Sequence, residues 1–315
     1  MLADIRNSLK YVKDVLSSDV KLPADYRQFS NIVICGMGGS AISGDVIKDS
    51  FKDALHVPIE VSRNHKLPGY AGSNTLVIAA SYSGNTWETL AQLEQAVKRK
   101  CKTVCITSGG KMRELAVKKK LPCVKLNEGL MPRVAFPYLL AASLSVFESL
   151  KLVKVPEFRT LSKNMNRIEN EAKQLVDKIN GTMPIIVSHY PSPALRFKTQ
   201  LNENSKLLAK DEILPEIHHN DVESWHRLDS NFSVIFLRES HEDRDVKNSF
   251  DVDKKLLSKR TGVHEVFGEG ETRLERILHM IILGDFVSYY MAEKNSIDPY
   301  GTSMIDHIKD YLATH

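Results

Sequence analysis

The sequence predicts an α/β protein with mainly parallel sheets, organised in two domains. Short apolar segments rich in β-branched residues alternate with helical patterns along the chain, which is the arrangement of parallel strands joined by helices. A length of 315 residues exceeds one ordinary hydrophobic core and favours two domains. The segment Lys151–Arg159, which carries Pro156, is the best linker candidate, and it divides the chain into residues 1–150 and 151–315.

Five apolar segments in the first half predict strands, with helical patterns before, between and after them. The segments are Asn31–Cys35, Val57–Val61, Thr75–Ala80, Thr103–Thr107 and Cys123–Leu126. The helical patterns run through Ile5–Leu16, Ile42–Val46, Leu90–Val97, Lys111–Lys120 and Phe136–Leu150. Because ligands of such folds bind at the carboxyl ends of parallel strands, we expect a site in the loops that follow these strands.

The second half repeats this alternation. Its predicted strands are Pro184–Ser188, Phe232–Leu237 and Val263–Phe267, and its predicted helices run through Leu161–Ile179, Leu201–Leu208, Val246–Lys259 and Leu274–Lys294. Pro191 and Pro193 predict a turn after the first of these strands. The shared architecture indicates either an old duplication or two related domains.

Composition narrows the function classes. A net charge of +4, from 43 basic and 39 acidic residues, is too small to indicate a nucleic-acid partner. No apolar run approaches the length of about 20 residues that spans a bilayer, and residues 1–10 are not a signal peptide. The four cysteines lack C-x-x-C spacing, so we expect reduced core thiols in a cytoplasmic protein.

The turn Ser81–Thr86, with the sequence SYSGNT, follows a predicted buried strand and precedes a helix. Free backbone N–H groups and the positive end of the dipole make a helix start a site for an anion. Ser81, Ser83 and Thr86 add three hydroxyl donors for phosphate oxygens. In the alternative interpretation Ser83 or Thr86 merely caps the helix, but a cap explains one hydroxyl of three.

The loop Gly36–Ala41, with the sequence GMGGSA, follows the first predicted strand. It matches the G-x-G-x-x-A dinucleotide pattern, and Glu60 stands near the position of a ribose-binding acid. Gly39 and Ser40 suit the close approach of a sugar to the backbone equally well. The loop alone does not distinguish a nucleotide ligand from a sugar-phosphate ligand.

Arg133 precedes the almost charge-free segment Phe136–Leu150. One interpretation is a surface arginine that happens to flank a helix. The other is a guanidinium aimed at an oxyanion that develops during a reaction. The residue types do not decide between them.

Two polar segments stand out in the second half. Glu203 lies between two asparagines in a predicted helix, where most glutamates are simply solvated. The segment Leu214–Glu223 is dense in histidines and carboxylates, which favours acid–base chemistry or a metal. Because His218 and His219 are adjacent and point apart in an extended chain, we predict no metal site.

Taken in order, these motifs resemble those of one known family. GMGGSA, SYSGNT, an arginine before an apolar helix, NENSK and PEIHHND are similar to the motifs of the archaeal-type bifunctional phosphoglucose/phosphomannose isomerases. The resemblance runs from about Cys35 to the C-terminal helix. It implies two sugar isomerase (SIS) domains, each with three α-β-α layers around a mainly parallel sheet, over residues 1–150 and 151–315.

The resemblance also implies which residues bind the substrate. The S-x-S-G-x-T turn would hold the sugar phosphate and the GGS segment would line the sugar. These residues are Ser81, Ser83, Thr86, Gly38, Gly39 and Ser40.

Catalytic roles follow from the same resemblance. Glu203 would be the base. Arg133 would correspond to the arginine that follows the last strand of the family's first domain. His219, donated by a partner subunit, would assist ring opening. Lys309 corresponds to a lysine that the family carries in its terminal helix. The family pattern D-P-T-P-V is not reproduced near residue 300, which leaves Thr302 only a candidate for tolerance of both C2 epimers.

The implied activity converts glucose 6-phosphate and mannose 6-phosphate to fructose 6-phosphate through an enediol(ate). The two aldoses differ only at C2 and give the same enediol, so one base can serve both. This chemistry asks for no cofactor, metal or nucleotide, and the implied assembly is a homodimer.

Three rival functions remain. One is an isomerase domain of an amidotransferase, which would need a glutaminase partner. A non-catalytic SIS regulator could use the same sugar-phosphate pocket, but residues 1–29 have room for only one or two helices and carry no basic stripe for DNA. A nucleotide-dependent oxidoreductase rests on Gly36–Ala41 and Glu60 alone.

Overall fold

Two all-parallel sheets organise the chain. The computed structural model describes residues 1–16 and 20–314, except for the side chain of residue 313. The described chain divides into one unit made mainly of residues 3–159 with 272–274, and a second made mainly of residues 160–271 with 275–315. Every strand pair in the described residues is parallel, which confirms the predicted fold class.

The first unit contains a five-stranded sheet in the order β2-β1-β3-β4-β5. The strands are β1 (Asn31–Cys35), β2 (Ile59–Ser62), β3 (Thr75–Ala80), β4 (Lys102–Thr107) and β5 (Cys123–Lys125). The helices are α1 (Leu2–Arg6), α2 (Ser8–Leu16), α3 (Gly38–Phe51), α4 (Trp87–Lys98), α5 (Gly110–Lys119) and α6 (Phe136–Ser149). All five apolar segments predicted from the sequence are confirmed as strands.

Helices cover both faces of this sheet. Side chains alternate between the two faces of a strand. On one face, Val33 and Val77 pack with Ala96 of α4. On the other face, Gly44 of α3 lies so close to Ile34 that a Cβ would meet its side chain at 3.0 Å. The sheet is therefore the middle layer of three.

The second unit contains a four-stranded sheet in the order β7-β6-β8-β9. The strands are β6 (Met183–Ser188), β7 (Lys210–Ile213), β8 (Phe232–Glu239) and β9 (Gly262–Gly268). The helices are α7 (Arg159–Ile179), α8 (Pro191–Asn204), α9 (Arg244–Leu257), α10 (Arg273–Lys294) and α11 (Ser303–Thr314), with 3₁₀ turns at Glu216–His219 and Asp221–Arg227. Phe250 and Leu257 of α9 join the buried core of this sheet.

Three local predictions in this unit are wrong. Pro191 and Pro193 form no turn but lie in the first turn of α8, where a missing N–H is tolerated. The same helix ends at Asn204, and Leu208 is 69% exposed, so the apolar residues 207 and 208 do not extend it. His218 and His219 lie in a 3₁₀ turn and not in extended chain.

The remaining general features concern membranes and thiols. Among the described residues, no helix has the length and apolar character needed to cross a bilayer. All four cysteines are free thiols; Cys35 and Cys105 are buried, and Cys101 and Cys123 are half-buried. The expectation of unpaired thiols in or beside the core is confirmed.

Candidate functional site

The site begins at two neighbouring strands of the first sheet. Strand β1 lies beside β3, and the helices that follow them cover opposite faces, so the strand order reverses here. A crevice opens at the carboxyl ends of the strands at such a point, and ligands of open α/β sheets bind there. The two loops meet at Gly36, where a Cβ would lie 3.1 Å from the Ala80 carbonyl oxygen.

The SYSGNT turn gathers its hydroxyl groups in this crevice. Ser81 is buried and its Oγ lies 2.9 Å from the Oγ1 of Thr86. The Ser81 Oγ also accepts a hydrogen bond from the Gly84 N–H at 3.2 Å. Ser83 is exposed, and its Oγ accepts from the Asn85 N–H at 3.3 Å. Two of the three hydroxyls therefore form one contact pair, and the third stands at the surface of the same turn.

The interpretation of this turn as a plain helix cap is wrong. Thr86 occupies the N-cap position of α4, but no side chain caps the helix. The first N–H groups of α4 are among those that a helix leaves unpaired within itself. The backbone donors and the positive end of the dipole at this helix start therefore lie directly beside the hydroxyls of the turn.

Glycine 84 fixes the shape of the turn. Its φ is +68°, and a Cβ there would lie 1.9 Å from the carbonyl oxygen of Gly109. The Gly84 carbonyl accepts a hydrogen bond from the Met112 N–H at 2.9 Å. The turn is therefore packed against the loop after β4, and only glycine fits between them.

The GGS residues form the start of α3. The helix begins at Gly38, which has φ +50°, and no side chain caps it. Gly39 is half-buried and Ser40 is buried, and the Ser40 carbonyl accepts from the Ser43 hydroxyl at 2.6 Å. The three predicted residues thus provide a second uncapped helix start, and it follows β1, the neighbour of β3.

Tyr82 is a residue of this turn to which the sequence assigned no role. Its hydroxyl donates to the Asn127 carbonyl at 2.7 Å and accepts from the Leu130 N–H at 3.0 Å. It therefore ties the turn to the segment that leads to Arg133. The periodicity of the sequence gives no sign of this link, because it joins residues more than forty positions apart.

Arg133 is 6% exposed and lies in the turn before α6. Its interpretation as a surface arginine is therefore wrong. A buried guanidinium is strongly disfavoured unless polar or charged groups satisfy it. Glu60, the candidate ribose-binding acid, is exposed on β2 and accepts a hydrogen bond from the Tyr70 hydroxyl at 2.6 Å.

In the second unit, Glu203 is half-buried and occupies the penultimate position of α8. Lys206, the last residue of NENSK, donates through Nζ to the Glu203 carbonyl at 2.7 Å and to the Gly301 carbonyl at 2.7 Å. One ammonium group thus joins the end of α8 to the segment before α11. This is a second link that the sequence alone did not reveal.

The two adjacent histidines have different environments. The His218 Nε2 lies 2.9 and 3.1 Å from the two carboxylate oxygens of Asp253, whose pKa is raised mainly by burial. His219 is exposed. In the described part of the chain, no three His, Cys, Asp or Glu side chains are grouped as metal ligands. His218 therefore contacts α9, whereas the side chain of His219 is open to solvent.

The C-terminal helix α11 is exposed along its length. Lys309 has a side chain 71% exposed, 3.6 Å from Asp306. The Thr302 hydroxyl donates to Asp306 at 2.8 Å, a contact that orders the first turn of α11. Five large apolar side chains of this helix are 41–83% exposed: Met304, Ile305, Ile308, Tyr311 and Leu312.

The predicted residues are thus divided between the two units. The six residues predicted to bind the substrate lie in the loops that follow β1 and β3, and the Tyr82 hydroxyl connects the second of these loops to the chain before Arg133. In the second unit, Lys206 connects the end of α8, with Glu203, to the segment before α11.

Comparison with protein families identifies both units. Residues 25–118 match the SIS domain, and residues 168–312 match the bacterial phospho-glucose isomerase C-terminal SIS domain. The predicted SIS fold is therefore confirmed.

Solved structures agree on the fold at low identity. The C-terminal domain of glucosamine-fructose-6-phosphate aminotransferase from Francisella tularensis has a TM-score of 0.71 and 15% identity, over 95% of this chain and 97% of that one. Tagatose-6-phosphate ketose/aldose isomerase from Escherichia coli has a TM-score of 0.66 and 15% identity, over 95% and 89%.

Three curated relatives are similar at the level of sequence. The bifunctional phosphoglucose/phosphomannose isomerase of Aquifex aeolicus is 33% identical over 92% of this chain and 93% of its own. That of Thermoplasma acidophilum is 31% identical over 98% of both. The D-glucosamine-6-phosphate 4-epimerase of Sulfolobus acidocaldarius is 31% identical over 69% of this chain and 70% of its own. Near-complete coverage at this identity shows that the chain belongs to an enzyme family, the bifunctional phosphoglucose/phosphomannose isomerases.

Proposed function

We propose that the protein is an aldose–ketose isomerase that interconverts glucose 6-phosphate and mannose 6-phosphate with fructose 6-phosphate. The observation that carries this proposal is the pair of uncapped helix starts that follow the neighbouring strands β1 and β3, with the hydroxyls of the SYSGNT turn beside the second of them. Membership of the isomerase family supplies the reaction.

The first unit holds the phosphate. Backbone N–H groups at the starts of α3 and α4 donate to its oxygens, together with the hydroxyls of Ser81, Ser83 and Thr86. The phosphate is remote from the carbons that react, so its binding energy serves to orient the sugar. Gly38, Gly39 and Ser40 line the sugar chain.

Glu203 moves the proton. In the open-chain aldose the carboxylate takes the proton from C2, and the electrons of that bond form the C1–C2 double bond as charge moves to O1. The proton of the O2 hydroxyl passes to O1, and Glu203 returns the carbon-bound proton to C1 as the C2 carbonyl forms. A positioned acid–base group of this kind contributes roughly 10²–10⁴-fold to the rate. Arg133 stabilises the negative charge that develops on O1 or O2.

His219 opens the cyclic hemiacetal, because its imidazole can donate a proton to the ring oxygen as the bond from C1 to that oxygen breaks, and can accept the proton of the O1 hydroxyl as the C1 carbonyl forms. In this proposal His219 comes from the partner of a homodimer, and Lys309 of α11 completes the catalytic set. The exposure of His219 and Lys309 and the exposed apolar side chains of α11 support an assembly of two copies. The free thiols support a cytoplasmic location.

One coupled assay tests the reaction. Purified protein receives fructose 6-phosphate, and glucose 6-phosphate and mannose 6-phosphate are scored separately. We expect both aldoses to form, because one enediol returns to either face at C2. Formation of neither, with tight binding of fructose 6-phosphate, would instead establish the sugar-phosphate-binding regulator.

A parallel reaction addresses the epimerase relative. Glucosamine 6-phosphate is supplied and the product is examined for inversion at C4, the activity named for the Sulfolobus acidocaldarius protein. We expect no turnover. Inversion at C4 without isomerisation of fructose 6-phosphate would replace the proposed reaction.

A further inference from the structure

Helix α8 buries a polar stripe. Arg196, Gln200 and Asn204 are spaced four residues apart, which places them on one face of the helix. All three are at most 2% exposed. A helix that packs on a core normally buries apolar residues at this spacing, so a stripe of polar side chains must have specific partners.

The partners lie on α10 and close a ring with α8. The Arg196 guanidinium donates to the Asp285 carboxylate through Nε at 3.0 Å and Nη2 at 3.2 Å. Two turns further along α8, the Asn204 Nδ2 donates to the Ser288 Oγ at 2.9 Å. The Ser288 hydroxyl donates in turn to the Asp285 carbonyl at 2.8 Å. Because that hydroxyl has one proton, it accepts from Asn204, and every bond in the ring has a fixed direction.

The two helices are also in close contact. A Cβ on Gly284 of α10 would lie 2.8 Å from the ring of Phe197 on α8. Phe197 is fully buried, so the ring cannot move aside without disturbing the core. Close packing and two polar contacts at separate turns prevent α8 from rotating about its axis.

This arrangement is not the one that stability alone favours. A buried ion pair is often no more stabilising than apolar side chains of similar size, because both charges lose their hydration. The Oδ1 of Asn204 is also buried without a hydrogen-bond partner. A polar ring with an unsatisfied acceptor is better explained by the geometry that it imposes.

We propose that Asn204 and Ser288, with the Arg196–Asp285 pair, are positioning residues that fix the direction of the Glu203 carboxylate. Glu203 directly precedes Asn204, and its carbonyl is held by Lys206, so the peptide that joins Glu203 to Asn204 is anchored by two contacts. The inference rests on the proposed role of Glu203 as base. A base must hold its position to about 0.5 Å to transfer a proton between adjacent carbons, and a rotation of α8 would exceed that.

The test compares two serines of the second unit. Ser288→Ala removes the ring contact and leaves Glu203 unchanged. Ser233→Ala is the matched control, because Ser233 is also buried and its Oγ lies 2.8 Å from the Oγ1 of Thr182, but it lies at the start of β8. We expect Ser288→Ala to lower kcat about 10–100-fold with KM changed less than about twofold, and Ser233→Ala to leave both near wild type.

A second readout separates positioning from a general loss of structure. With aldose deuterated at C2, Ser288→Ala should show a larger primary isotope effect on kcat than wild type, because a misplaced base makes proton transfer more rate-limiting. Asp285→Asn keeps the shape of the side chain but removes the charge that pairs with Arg196. It should lower kcat and raise the isotope effect, as Ser288→Ala does.

Equal kcat and equal isotope effects for Ser288→Ala and Ser233→Ala, in a wild-type protein that isomerises, would overturn the positioning role and leave the proposed function intact. A wild-type protein that isomerises neither aldose would overturn the proposed function, and the positioning role with it.

Discussion

The crevices at the carboxyl ends of the two sheets have the same construction and different contents. In each sheet the first strand of the unit lies beside the third, β1 beside β3 and β6 beside β8. In the first unit, small residues follow these strands and leave backbone N–H groups and hydroxyls available. The strand order is therefore the same in the two units, and the loops differ.

In the second unit, charged side chains at this edge pair with one another. Glu239 at the end of β8 accepts from the Nε of Arg276 at 3.0 Å and from the Tyr190 hydroxyl at 3.3 Å. Its neighbour Arg238 is buried, bonds Glu242 at 2.6 Å, and has its pKa raised by hydrogen bonds to surrounding carboxylates, against the opposing effect of burial. Sheet order places a crevice, but the loop residues decide whether it receives an anion or satisfies its own charges.

The largest effect expected from this contrast separates catalysis in the second unit from binding in the first. Glu203→Gln should lower the isomerisation rate about a thousandfold, because the amide cannot accept the carbon-bound proton. Binding of 6-phosphogluconate, measured by calorimetry, should change little. Glu293→Gln, at an exposed glutamate of α10, is the control and should keep the wild-type rate. A near-normal rate for Glu203→Gln would remove the base assignment.

Two glycines with positive φ should differ in their tolerance of a side chain. Gly84→Ala places a Cβ 1.9 Å from a carbonyl oxygen and should lower the free energy of unfolding by about 2–4 kcal/mol. Gly181→Ala, at φ +83° with no atom within 4 Å of the added Cβ, should cost about 1 kcal/mol. Urea denaturation measures both. Equal denaturation midpoints for the two variants would show that the loop after β4 can move to accommodate a side chain at residue 84.

Removal of hydroxyls should affect only the crevice of the first unit. Ser83→Ala combined with Thr86→Ala should weaken the binding of sugar 6-phosphates about 10–100-fold, since hydrogen bonds to a charged group are lost. Ser240→Ala is the counterpart after β8, where the hydroxyl lies 2.9 Å from the His241 Nδ1. Calorimetric titration with fructose 6-phosphate should give an unchanged affinity for that variant. If the double variant binds as tightly as wild type, the phosphate pocket loses its support.

The smallest effect concerns acid stability. Burial lowers the pKa of His279 on α10 to about 4, whereas His56 and His65 of the first unit are exposed. An unfolded histidine titrates near 6.5, so between pH 6.5 and 4 the unfolded chain binds the proton and the folded chain does not. Stability therefore decreases as the pH falls through this window, by about 2 kcal/mol at pH 5.

His279→Gln keeps an acceptor for the Glu269 N–H, which bonds the His279 Nδ1 at 3.3 Å, but does not titrate. Thermal unfolding at pH 5 and pH 7 should show a smaller difference for this variant than for wild type. His65→Gln should behave as wild type. An undiminished difference in His279→Gln would assign the acid sensitivity to other groups.

Much of this fold could be predicted because its strands are apolar runs buried on both faces. Strand β7 was missed because it begins Lys210-Asp211-Glu212 and lies at a sheet edge, where charged side chains reach water. The phosphate crevice could be proposed from the sequence because its candidate donors are nearly consecutive, and its role stays a prediction. The burial of Arg133, the link through Tyr82 and the ring around Asn204 depend on distant partners, and no local pattern encodes them.

Strand β3 has one further consequence. All six of its residues are buried, and strands pair with it on both sides. Amides in such a strand exchange with deuterium only through large openings of the domain, so they should be among the slowest in the molecule. The SYSGNT turn starts where that strand ends. Partial opening elsewhere in the chain would leave the end of β3, and the start of this turn, in place, so the slowest-exchanging amides should lie directly before the turn.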